Sequence, residues 1–176
     1  LLAGVSAYST FSWRIVFTVV TMLVYALVAK QNARFKGELV ELWQDKKVLL
    51  RMLLASFLIA ANWLIYIYAV GHGQATQASL GYYIMPIVSI LFALIFLRES
   101  LSRTMWAAVV LAFIGVLVLV VNTGKLPMVS LGLALTFGFY GLIKKGVKLS
   151  SDVAMLVESG LLLPFVCLLY TSDAAD

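Results

Sequence analysis

Charge is scarce in this chain. Only 12% of its residues are Asp, Glu, Lys or Arg, about half of what a soluble domain carries. That shortage argues against a soluble globular domain. Sulfur and imidazole are scarcer still, with one cysteine, Cys167, and one histidine, His72. A lone cysteine offers no internal disulfide and no thiolate cluster. Cys167 is given no redox or metal role. No HExxH, GxSxG or Gly-rich phosphate loop occurs. The expectation is therefore no catalytic residue, no metal, no cofactor and no enzyme.

Apolar residues are abundant. They make up 63% of the chain, and the mean hydropathy is +1.03. Six apolar segments stand out, at about 11–29, 52–70, 78–97, 105–121, 128–143 and 153–169. Most are long enough to approach the roughly 20 residues that cross a bilayer core. Segments so apolar must satisfy their backbone groups internally, so they read as helices. The fold class expected is all-α, a polytopic transmembrane helix bundle, with the lipid bilayer as its first partner.

The pI of 9.4 raises the question of nucleic acid. The basic residues lie between apolar runs rather than along an amphipathic face, so no nucleic acid partner is expected. Their placement sets orientation instead. Segments 30–51, 98–103 and 144–148 hold 11 of the 13 basic residues, whereas 71–77 and 122–127 hold only Lys125. Basic loops stay in the cytoplasm. The expected location is the plasma (inner) membrane, with 30–51, 98–103 and 144–148 inside. The longest of these contains "ELVELWQDKKVLLR", in which Leu39, Leu42, Trp43 and Leu50 can share a helical face. This reads as a short helix on the inner membrane surface or, almost equally, as a solvated linker. "GHGQ" at 71–74 reads as a turn.

The chemistry sits in polar residues inside the apolar segments. Arg14 and Glu158 are charges there, and each costs about 2.5–3.5 kcal/mol or more at a helix centre. They should face the bundle interior, a partner or water, although Arg14 can also snorkel to the outer interface. Glu158 is the candidate proton-coupling carboxyl. The two lie toward opposite ends of the membrane, which argues against a direct pair. In "ANWLIYIYAV", Asn62 and Tyr66 share a face four residues apart, with Trp63 beside them. The loop 71–77 is short, so the second and third segments form a hairpin and Tyr66, Tyr68, Tyr82 and Tyr83 can meet. Pro86 has no N–H for the carbonyl four residues earlier, and Gly81 adds flexibility, so the third segment is expected to kink. Small residues four apart (Ser56/Ala60, Ser89/Ala93, Ala108/Ala112, Ala134/Gly138) let helices approach closely.

These blocks carry a family resemblance. "ANWLIYIYAV", "QASLGYYIMPIVSILF", "LGLALTFGFYGLIKK" and "MLVESGLLLP" together resemble the RarD-type permeases of the EamA group, in the drug/metabolite transporter superfamily. The resemblance covers roughly residues 5–166. It departs at Gln77 and Met85, where that family often has Glu and Asn, and at Ser9 and Trp13. It implies ten helices in two inverted halves, of which six are visible here. Residues 1–122 would be a partial first repeat lacking its first helix, and 123–166 the start of the second. Leu1 is not a start methionine. The last stretch, "CLLYTSDAAD" at 167–176, matches codon for codon a transposon-type sequencing adaptor, so it is expected to be non-native.

The resemblance implies a permease moving a small-molecule solute, a metabolite or drug, by alternating access. Asn62, Trp63, Tyr66, Tyr82 and Tyr83 would line the path. Gly81 and Pro86 would let the third segment move, and Arg14 and Glu158 would supply intramembrane charge and coupling. The rival readings are a membrane scaffold or sensor and a membrane-embedded enzyme acting on lipid. Against the enzyme, the acids of the inside loops (Glu38, Glu41, Asp45, Glu99 and Asp152) form no DxxD pair.

Overall fold

A computed structural model describes residues 7–97, 102–123 and 127–173. Arg98, Glu99 and Lys125 lie outside the described residues, as do 1–6 and 174–176. Each of the six apolar segments becomes a helix: α1 (Ala7–Val28), α3 (Lys46–Gly71), α4 (Ala75–Leu97), α5 (Arg103–Thr123), α6 (Met128–Lys144) and α7 (Ser151–Asp173). A seventh helix, α2 (Asn32–Gln44), forms between α1 and α3. Stretches within α1, α3, α4 and α7 are by themselves long and apolar enough to cross a membrane. The 17 residues of α6 reach only about 25 Å at 1.5 Å per residue.

Two helices, α3 and α5, begin earlier than their apolar runs where a polar side chain caps the first turn. Asp45 is extended, and its carboxylate accepts the N–H groups of Lys47 (2.9 Å) and Val48 (3.3 Å). That satisfies orphan donors and starts α3 six residues before the apolar run at 52. Ser102 starts α5 in the same way, accepting from Met105 N–H at 3.3 Å. At the other end of α3 the "GHGQ" turn closes on Gly73, whose φ of +73° favours glycine. Gln74 N–H then reaches back to the Ala69 carbonyl at 2.8 Å.

The chain divides into two compact units. Unit 1 comprises Leu1–Leu64 and Ile143–Asp176, and unit 2 comprises Ile65–Leu142. The divisions fall inside α3 and α6.

In unit 1, α1 packs along α7, and α2 touches both. The core gathers Ala26, Phe35, Leu42, Met52, Val153 and Val157. Phe35, Leu39 and Leu42 recur at helical spacing, so α2 turns these residues inward. Trp43 is on the outer side, 67% exposed, and Leu50 is also exposed, on α3 rather than α2. The face expected from sequence is thus split: Asp45 ends one helix and starts another, which breaks the register between Leu42 and Leu50.

In unit 2, α4 meets α6 through glycines. A Cβ at Gly81 would lie 3.0 Å from Leu133 Cβ and 3.2 Å from Ser130 Cα. One at Gly138 would lie 2.8 Å from Val88 Cγ1. The Ser130 hydroxyl donates to the Gln77 carbonyl across the same pair of helices, at 2.6 Å. Of the small-residue pairs, Ala134/Gly138 is buried here and Ser56/Ala60 is buried in unit 1, while Ala108 of α5 is exposed. Helix α4 runs unbroken through Pro86.

Candidate functional site

Unit 1 holds Arg14 and Glu158, the two charges within the apolar segments. Arg14 of α1 lays its guanidinium over the Trp63 ring of α3, 4.2 Å from the centroid. An indole face is a good platform for a guanidinium, and the contact strengthens away from water. Arg14 itself is exposed, so part of its charge can still be hydrated. Asn62, the residue before this tryptophan, is 2% exposed. An amide so placed is held only where polar partners meet it.

Glu158 of α7 is also buried, and its Oε1 lies 2.9 Å from Lys144 Nζ. Lys144 sits in the last turn of α6, where a cation also answers the helix dipole. Sequence reasoning placed Lys144 in an inside loop and assigned Glu158 no partner. The signal available was the position of Glu158 toward the N-terminal end of α7, near a lysine-rich turn. Arg14 and Glu158 each have a neighbour of their own, Trp63 and Lys144.

Two further polar groups were missed. The hydroxyls of Ser12 and Ser159 are buried and have no protein partner among the described residues. Each lies close in sequence to a charge, two residues before Arg14 and one after Glu158. A serine beside an intramembrane charge was the available clue. An unanswered buried hydroxyl carries a desolvation penalty of about 1–3 kcal/mol, which a polar solute or water would relieve.

The end of unit 1 where α2 meets the start of α7 is tied by a polar cluster. Arg34 of α2 pairs with Asp152 of α7 and with Glu38, 3.4 Å away. The Glu38 carboxylate accepts from the Ser150 N–H (2.8 Å) and hydroxyl (2.7 Å). Glu38 thereby caps the start of α7 from another helix.

Unit 2 holds the aromatic candidates. Tyr66 and Tyr82 meet edge to face, with centroids 5.5 Å apart, a favoured geometry for aromatic pairs. Tyr68 instead stacks on His72 at 3.9 Å. Tyr83 points outward, 77% exposed. Gly81 is buried at the α4–α6 crossing, a packing role that its flexibility did not suggest, and Pro86 is exposed.

A model of the EamA-like transporter family matches residues 1–121. Among curated proteins, the chain is similar to Protein RarD of Salmonella typhi, 38% identical over all 176 residues and 58% of that protein. Protein RarD of Escherichia coli K12 is 36% identical over the same extent. The Uncharacterized transporter YojE of Bacillus subtilis is 38% identical over 93% of this chain and 55% of its own. The chain thus spans a little over half the length of these relatives. No solved structure matches it.

Proposed function

The chain belongs to the EamA-like transporter family, and from that premise we propose that the complete protein is an inner-membrane permease for a small organic metabolite or drug. The relatives named as transporters support this reading over a scaffold or a lipid-acting enzyme. The observation that carries it is the concentration of polar groups inside apolar helices. Asn62, Glu158, Ser12 and Ser159 are all buried in unit 1, and Arg14 rests on Trp63. Mere packing glue would not need two buried hydroxyls left unanswered.

In this proposal Asn62 and Trp63 bind solute, with Arg14 answering charge or a π-face on it. Tyr66, Tyr82 and Tyr83 supply aromatic surface. Gly81 and Pro86 are where α4 yields during alternating access, because Pro86 lacks one backbone donor. Glu158 exchanges its proton as Lys144 leaves and returns, which couples solute movement to protons. The basic segments 30–51, 98–103 and 144–148 face the cytoplasm.

The test is solute flux in proteoliposomes carrying the complete gene product. Saturable uptake should fall at least about tenfold in Asn62→Ala, the loss of one buried polar contact to solute. Tyr82→Ala should lower it less. Normal flux in both variants would remove these residues from the path, and no flux for any solute would favour the scaffold. Glu158→Gln should abolish the dependence of uptake on an imposed pH gradient. Unchanged dependence would rule out Glu158 as the coupling group.

A further inference from the structure

A second candidate site lies in unit 1, with none of Arg14, Asn62 and Glu158 in its lining. A cleft of about 480 Å³ opens where α2 ends, α3 begins and the chain turns from α6 into α7. Lys47, Arg51 and Lys148 line it, with Glu41 and Asp45. None of the three cations makes an ion pair among the described residues. Asp45 caps α3 through Oδ1 but keeps its charge, so the three cations still outnumber the two lining carboxylates, Glu41 and Asp45. Gly146 has φ +93°, a backbone that favours glycine, and its turn passes close to Arg51, with a Cβ position 3.7 Å from Nη1.

Next to the cleft is an apolar groove of about 280 Å³, lined by Leu39, Leu42, Trp43, Leu49, Leu156 and Leu161. Leu42 lines both. A cationic cleft and an oily groove that share Leu42 as a wall match a ligand with an anionic head and a hydrocarbon tail. Trp43 stands exposed beside it, the residue type that settles at headgroup depth. Free phosphate would use the cleft and leave the groove empty.

We infer that this face of unit 1 binds one anionic phospholipid, its phosphate between Lys47, Arg51 and Lys148 and an acyl chain along Leu42 and Leu161. Arginine offers the phosphate paired donors, and the lysines add point charge. Bound there, the lipid would join α2 to the start of α3 and the α6–α7 turn.

The test is native mass spectrometry of the full chain in detergent, titrated with phosphatidylglycerol or phosphatidylcholine. The unmodified chain should retain phosphatidylglycerol about fivefold better, as expected for three surface cations partly offset by Glu41 and Asp45. The triple variant Lys47→Gln/Arg51→Gln/Lys148→Gln should lose that preference while circular dichroism stays helical. Gly160 also lines the groove, and a Cβ there meets nothing within 4 Å. Gly160→Phe should therefore fill the groove and reduce retention of phosphatidylglycerol several-fold with all three cations in place. It carries the test if the triple variant fails to fold. Equal retention of both lipids by the unmodified chain overturns the site. So does an undiminished preference in a folded variant, or displacement of the lipid by an equal concentration of inorganic phosphate.

Discussion

The two units bury different things. Unit 1 buries Ser12, Ser56, Asn62, Glu158 and Ser159, and among the described residues it holds all three ion pairs. Among its described residues unit 2 buries one polar side chain, Ser130, and packs instead by glycine against side chains at Gly81 and Gly138. Both are built from apolar helices, so the bilayer demands the same of each. The difference lies in how helices are held where there is no hydrophobic drive between them. One unit uses charge and hydrogen bonds, which can be exchanged for solute or water. The other uses close backbone approach, which cannot be exchanged.

That contrast can be broken most strongly at Lys144. Lys144→Met leaves the buried Glu158 carboxylate without its cation, and should cost about 3 kcal/mol of stability in detergent denaturation. Adding Glu158→Gln to it should recover most of the loss. A single-variant loss under about 1 kcal/mol would mean that water already answers Glu158.

A smaller loss is expected in unit 2. Gly81→Leu forces a side chain against Leu133 and the Ser130 backbone, and overpacking of this kind costs about 2 kcal/mol. Gly115 of α5 has nothing within 4 Å of its Cβ position, so Gly115→Leu should be neutral or stabilising. Equal thermal shifts in the two variants would show that the α4–α6 crossing is not tight.

The smallest effect should come from Ser130→Ala, about 1 kcal/mol for one interhelical hydrogen bond. Its loss should not exceed that of Gly81→Leu. If it did, polar bonding rather than close packing would hold unit 2, and the contrast with unit 1 would disappear.

Much of the fold was legible because the membrane imposes a coarse code. A run of apolar residues near bilayer length has few alternatives to a helix, and all six runs became helices. The helix ends were less legible, since Asp45 and Ser102 lengthen α3 and α5 through capping bonds rather than hydropathy. The α2 helix was half legible. Its helical spacing showed, but which apolar residues turn inward depended on where Asp45 broke the register. For the candidate site, sequence marked Arg14, Asn62, Trp63 and Glu158 as out of place in an apolar run. It could not name Lys144 as the neighbour of Glu158, because that pair joins α6 to α7 across a turn.

Sequence alone determined the all-α membrane class, the number of apolar helices, the charge asymmetry of the loops and the family. The first three follow from composition and short-range spacing and the family from the resemblance of its sequence blocks, all properties of the chain before it packs. Only the tertiary structure decided what each polar residue meets. Arg14 rests on Trp63, Tyr66 reaches Tyr82 rather than Tyr68, Gly81 is a crossing point, and three loop cations converge on a cleft beside an apolar groove. Those outcomes depend on distances between residues far apart in the chain, and helical periodicity says which face a residue takes but not which neighbour that face will find.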